Sequence, residues 1–336
     1  MKKAKTYIGS IFLICVLIAS CAKETTPKPE VLKASLPIVG SDEYYAALRA
    51  YKKTDHAICF GWWGNSGVRS VSPDMTLRYE GLPDSMDIVS LWGGKPDLTD
   101  PAWAEMQSVR KRKGTKFVLV LFGSTVNDWM QKNDSALYAN DIMASIDTVA
   151  KAIVDTINKY QLDGFDLDYE PNFGDGGIFG HGGAGRDAGG DIYTQRLFKA
   201  FSKYLGPLSG TGKTLIVDGD CEPGITSSID YLVQQAYGSD GPEDLEYRFH
   251  KFGFDVLPSK KFVVTENMQQ YGARGTSFFY KGADVGSVLG MAYWNPIEGR
   301  KGGFGAYIME TDAKSNPPTT FYHLQTGIQI QNPAPR

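Results

Sequence analysis

Eight short apolar runs, each bounded by Gly, Pro or Asp and separated from the next by enough chain for a helix, predict a (β/α)8 barrel over residues 41–336. They fall at residues 57–62, 87–92, 116–122, 162–168, 214–218, 231–237, 261–266 and 288–294. Between the third and fourth, Ile142, Ile146, Val149, Ile153 and Ile157 recur at spacings of four, three, four and four, the mark of an amphipathic helix. Further helices are expected at 193–205 and 319–329. A doubly wound sheet fits less well, since it would show about six strands and an early phosphate-binding turn. The fold class is therefore α/β, a TIM barrel in one domain. With 336 residues and 42% hydrophobic content, the chain can give it a large core.

Ahead of the barrel lies a segment of another kind. Lys2, Lys3 and Lys5 precede an apolar run at 7–18 and the small residues Ala19 and Ser20, so residues 1–20 read as an export signal, too short for a membrane span. The run Ile18-Ala19-Ser20-Cys21 resembles a bacterial lipoprotein signal, which implies lipidation of Cys21 as the first mature residue. Ordinary secretion with a fortuitous Cys is the alternative. Residues 21–40 form a polar, Pro-containing tether. In it, Lys23-Glu24 resembles a signal that sends some lipoproteins to the cell surface. The expected location is the cell envelope, lipid-anchored at the outer membrane and exposed at the surface, with that anchor as the membrane contact.

A net charge of −3 with both signs interspersed and no basic block argues against nucleic acid as a partner. Aromatic residues reach 12%, with six Trp and eighteen Tyr, which suits stacking on sugar rings but also a Tyr-rich core. Cys59 and Cys221 lie in or beside apolar runs and read as buried free thiols. His56, His181, His250 and His323 are scattered without zinc-type spacing, so neither a metal nor another cofactor is expected. A monomer is expected.

The stretch at 163–170, Asp-Gly-Phe-Asp-Leu-Asp-Tyr-Glu, carries the chemistry. In a strand, side chains alternate between faces, so Asp166, Asp168 and Glu170 share one face while Phe165, Leu167 and Tyr169 share the other. Like charges about 6 to 7 Å apart repel, a cost met chiefly where protons are shared or moved. The ladder ends at Pro171, at the C-terminal end of the fourth strand, where barrels of this kind keep their catalytic groups.

The same eight residues resemble the D-G-x-D-x-D-x-E signature of glycoside hydrolase family 18, which includes chitinases and endo-β-N-acetylglucosaminidases. The resemblance implies that Glu170 is the general acid, that Asp168 orients and stabilises the substrate's acetamido group, and that Asp166 supports Asp168. Chemistry argues the same way. Most glycosidases need two carboxylates, but an N-acetyl sugar brings its own nucleophile, the acetamido oxygen, so one true acid suffices. Glu170 must hold a proton near neutral pH, which repulsion from Asp168 and Asp166 would favour. The N–H and positive charge of an oxazolinium-like ion then need an anionic acceptor, a part for Asp168.

Other strand ends supply further candidates. Gln235 and Tyr237 have the same parity near the end of strand six. Family members place a Tyr there against the acetamido carbonyl, and Gln-x-Tyr resembles the endo-β-N-acetylglucosaminidase pattern. Chitinases usually show Met-x-Tyr-Asp, whereas this chain has Gly238 in place of that Asp, and Phe122-Gly123-Ser124 lacks their full Ser-x-Gly-Gly motif. An interior amide is the alternative role for Gln235. Trp294, at the end of the eighth predicted strand, is expected to floor the site, as a Trp commonly does in the family. Trp62 and Trp92, closing strands one and two, are weaker candidates for sugar contact, and Trp103 and Trp129 read as packing. Nine glycines at 172–191 match G-x-G-x-x-G at Gly180, Gly182 and Gly185. No strand runs directly into them, so a flexible loop beside the acid fits better than a nucleotide site, and His181 and Arg186 there read as solvated.

These residues point to an enzyme that cleaves the β-1,4 bond between N-acetylglucosamines in N-glycans, with retention. Its partner would be an N-acetylglucosamine-containing glycan or glycoprotein. A chitinase, or a non-catalytic surface glycan-binding protein on the same barrel, are the alternatives.

Overall fold

The computed structural model describes residues 40–67, 72, 74–171, 177–179, 186–187, 190–253, 257–317 and 319–333. The expected export signal, Cys21 and the expected tether up to residue 39 lie outside the described residues, as does most of the glycine-rich stretch, including His181.

Strands β1 (Ile58–Trp62), β2 (Ile88–Ser90), β3 (Lys116–Phe122), β4 (Gly164–Tyr169), β5 (Thr214–Gly219), β6 (Tyr231–Gln235), β7 (Phe262–Asn267) and β8 (Gly303–Tyr307) close into one barrel. Every pair is parallel, and β8 pairs back to β1 through Ile58 opposite Gly303. Alternation along each strand splits the apolar residues between two cores. Phe60, Ile88, Val118, Ile216, Val233 and Val263 fill the barrel, while Phe117, Phe165, Leu167, Val217, Val264 and Phe304 meet the surrounding helices.

Seven of the eight predicted strands are present. Residues 288–294 are instead occupied by the helix Ser287–Tyr293, and the eighth strand lies further on, at Gly303–Tyr307. A short apolar run does not by itself distinguish a strand from a buried helix. The true strand escaped because Gly303 and Gly305 interrupt its apolar signal. Both glycines are needed, since a Cβ on either would run into the β1 backbone at Ile58 or Phe60.

The predicted amphipathic helix forms at Ile142–Lys159, with the Asp141 side chain accepting from Ala144 N at its start. It buries Ile146, Val149, Ile153 and Ile157, each worth about 1.5–3 kcal/mol when fully withdrawn from water. The 193–205 expectation becomes Ile192–Phe201, capped by Asp191, and the 319–329 expectation becomes Tyr322–Gln331. Just past that last helix, Asn332 exchanges hydrogen bonds with both backbone groups of Ala57, tying the chain's end to the first strand. Cys59 and Cys221 are buried free thiols, as expected. Among the described residues no helix is long and apolar enough to cross a membrane.

Candidate active site

All six residues of β4 are buried, in the predicted alternation. Phe165, Leu167 and Tyr169 belong to the outer core. Asp163, just before the strand, works at the opposite end of the barrel. There it forms a charge-assisted bond to Arg110, with Nε at 2.7 Å, and accepts from Phe117 N at 3.0 Å, so it anchors β4 to β3. Asp168, one turn of the pleat beyond Asp166, opens onto a cleft at the C-terminal mouth with Glu170.

The cleft measures about 240 Å³ and is lined by Trp62, Trp92, Phe122, Asp168, Glu170, Asp218, Gln235, Tyr237 and Tyr307. Six of the predicted site residues therefore meet at one place: Glu170, Asp168, Tyr237, Gln235, Trp62 and Trp92. Asp166 lies beneath them, fully buried, its Oδ2 accepting from Ser90 Oγ at 2.7 Å and Trp62 Nε1 at 3.1 Å. Trp62 is 1% exposed, so its main contact is with this carboxylate and with the rings of Phe60 and Tyr307 rather than with the open cleft. Trp92 packs edge-on to Phe122 and Tyr307, with centroids 5.3 and 5.0 Å away, and these three make an aromatic wall.

Trp294 is not part of this site. It follows the helix Ser287–Tyr293, is 3% exposed, and sits in the outer core with its ring 6.4 Å from that of Phe262. Its expected place followed from the misplaced eighth strand. The aromatic residue that ends the true β8 in the cleft is Tyr307.

Asp218, Ser90 and Phe122 also belong to the site, although the sequence pattern does not single them out. Asp218, near the end of β5, is fully buried and in register with Asp168, and its Oδ1 accepts from Gln235 Nε2 at 2.9 Å. The strand-end parity that singled out Gln235 and Tyr237 applies to it equally. Electrostatics follow from this crowding. Burial pushes the Asp166 carboxyl up to about 6 against the opposing bonds from Ser90, Asp218 and Trp62. Asp218 is pushed well above the usual carboxylate range, first by burial and then by the charges of Asp168 and Asp166. Tyr237 is raised in the same way, by burial and then by Asp218, Asp168 and Glu170, so its hydroxyl remains a donor near neutral pH. The turn after Tyr237 is held from β7, where Glu266 Oε1 accepts from Gly238 N at 3.0 Å, and Gly238 supplies the φ of +72° that this turn requires.

Away from the cleft, His250 Nε2 lies 3.3 Å from Glu246 and 3.2 Å from Glu298, a His–Glu cluster on the outer surface.

A closed parallel barrel whose strand ends bring several carboxyls, an amide and a tyrosine hydroxyl to one aromatic-walled cleft defines a glycosidase-type protein. The profile of glycoside hydrolase family 18, BT1044-like, matches residues 35–330, and the chain belongs to that family of glycoside hydrolases. It is 29% identical over 315 residues to endo-beta-N-acetylglucosaminidase F2 of Elizabethkingia meningoseptica, covering 85% of each chain. Its structure resembles that of a selenomethionine BT1044 variant carrying a Glu-to-Gln substitution, with a TM-score of 0.73 and 26% identity over 87% of this chain and 93% of that one. In fold it also resembles an endo-beta-N-acetylglucosaminidase variant from Cordyceps militaris in complex with fucosyl-N-acetylglucosamine-Asn. There the TM-score is 0.62 at 21% identity, over 86% of this chain and 95% of that one.

Proposed function

We propose that this glycoside hydrolase is an endo-β-N-acetylglucosaminidase that cuts between the two N-acetylglucosamines at the base of N-glycans, with retention of configuration. The observation that carries the reading is the convergence of Asp168, Glu170, Gln235 and Tyr237 on one cleft. Glu170 donates a proton to the leaving oxygen. The acetamido oxygen of the sugar attacks its own anomeric carbon, and Asp168 accepts from the amide N–H while its charge offsets that of the oxazolinium-like ion. Tyr237, kept protonated, donates to the acetamido oxygen and holds it at the reacting carbon. Water then opens the ring, with Glu170 as base.

N-glycans are favoured over chitin by the end of β6. Where the chitinase pattern carries Asp, this chain has Gly238 at a φ of +72°, and a Cβ there would press on the Tyr271 hydroxyl at 3.2 Å. The relatives named endo-beta-N-acetylglucosaminidase support the same choice.

The basic, apolar and small-residue run ending at Cys21 supports a lipid anchor at that cysteine and a place in the cell envelope. The test of function is to incubate the protein with defined N-glycoproteins and with chitin oligomers and weigh the products. Glycoprotein left with one N-acetylglucosamine and a released glycan that first appears as the β-anomer are expected. An α-anomer, or turnover of chitin alone, would overturn the reading.

A further inference from the structure

The cleft contains a buried carboxyl that is not part of the β4 acid run. Asp218 on β5 is the register partner of Asp168 on β4, and neighbouring strands lie about 4.8 Å apart. It is fully buried and within hydrogen-bond reach of Asp166. The Asp166 Oδ2 atom is already taken by Ser90 and Trp62, and the Asp218 Oδ1 atom by Gln235. Each acid retains one further buried oxygen, Asp166 Oδ1 and Asp218 Oδ2, which among the described residues accepts from no donor group. Two buried acceptors brought together in this way are satisfied by a proton held between them. The surrounding groups favour retaining it. Asp168 and Asp166 act on Asp218 as negative charges, Gln235 contributes a neutral amide, and Tyr237 and Tyr307 line the cleft beside them with Glu170.

We propose that Asp218 is a positioning residue of the glycosidase reaction: it shares one proton with Asp166 and holds the Gln235 amide, so that the sugar meets one negative charge at Asp168. This rests on the roles assigned above to Asp168 and Glu170. Were Asp166 and Asp218 both ionised, their charges would drive a proton onto Asp168 and cost it the anion that the oxazolinium-like ion requires. With Nε2 of Gln235 committed to Asp218, the amide oxygen is the group left to accept from a sugar hydroxyl or N–H.

Asp218→Asn tests this directly, because its amide can donate to Asp166 and accept from Gln235 while never losing its proton. Asp218→Ala provides neither bond. Infrared difference spectra at pH 7, which need no turnover, should show one protonated carboxyl in the native protein that Asp218→Asn lacks, beyond the Glu170 contribution common to both. In kinetics on an N-glycoprotein from pH 4 to 9, Asp218→Asn should keep kcat within about threefold near neutrality and stay active to higher pH, where the native pair loses its shared proton. Asp218→Ala should lose at least about tenfold in kcat with KM little changed. The proposal is overturned if the infrared band is the same in both proteins, if Asp218→Ala keeps native kcat and pH profile, or if Asp218→Asn is as impaired as the alanine variant. A native protein that releases no glycan would overturn the substrate assignment instead, and the infrared result would still decide whether the proton is shared.

Discussion

Replacing Asp166 by Asn should make the protein more stable at neutral pH. The folded protein raises this carboxyl from 3.8 to about 6, chiefly by burying it. A carboxyl raised on folding favours the folded state most at pH values below its unfolded pKa, and that contribution is lost as pH rises through the folded value. The relevant window therefore runs from about pH 4 to just above pH 6. A rise of about two pKa steps at about 1.4 kcal/mol each makes ionised Asp166 cost about 3 kcal/mol at pH 7. Asn removes that cost and keeps the bonds from Ser90 and Trp62 to its Oδ1, while Asp218 gives up the shared proton to accept from its Nδ2. At roughly 2 °C per kcal/mol for a chain of this size, the thermal midpoint should rise at pH 7 by at most about 6 °C, the cost of ionising Asp218 reducing the gain. The gain should shrink to nothing by about pH 4, while kcat falls at every pH because Asp168 loses its support. Thermal unfolding of both proteins from pH 4 to 8 measures this. A variant less stable than the native protein at pH 7, or a difference that does not change with pH, would refute the reasoning.

Other substitutions separate the roles. Glu170→Gln should lower kcat by about 10² to 10⁴ while glycan affinity, measured by calorimetry, stays within a few fold. Tyr237→Phe should cost about 10² in kcat through loss of the hydroxyl donor. Trp294→Ala should destabilise the fold by about 3–5 kcal/mol by emptying an outer-core site, yet leave KM unchanged at temperatures where the variant is folded. Trp92→Ala, in the aromatic wall, should raise KM instead. Cys21→Ala should move the protein from the membrane fraction to the soluble fraction of fractionated cells.

The barrel was legible because parallel strands covered on both faces read as unbroken apolar runs. The acid ladder was legible because a two-residue period is a local property of one strand, and β4 keeps it. What depended on packing between strands was not legible. Strand β8 carries Gly303 and Gly305 because it lies against the β1 backbone, and this thins the apolar signal that would have marked it. Placing the eighth strand too early then put Trp294 into the cleft and left Tyr307 out. Asp218 is one acid at the end of an apolar run, with no spacing pattern of its own, and its importance appears only through its register with Asp168. Ser90 is equally anonymous until the closed barrel brings it within 2.7 Å of Asp166, 76 positions further along the chain.

The proposed reaction requires the sugar to supply its own nucleophile, and that can be measured directly. A chitobiose-core glycopeptide should be compared with one in which the acetamido group of the sugar being cleaved is replaced by a hydroxyl. Hydrolysis of the first and none of the second, with both bound at similar affinity, is the predicted result. Comparable kcat on both would mean that a carboxylate of the protein attacks the sugar, contradicting the roles of Asp168 and Glu170.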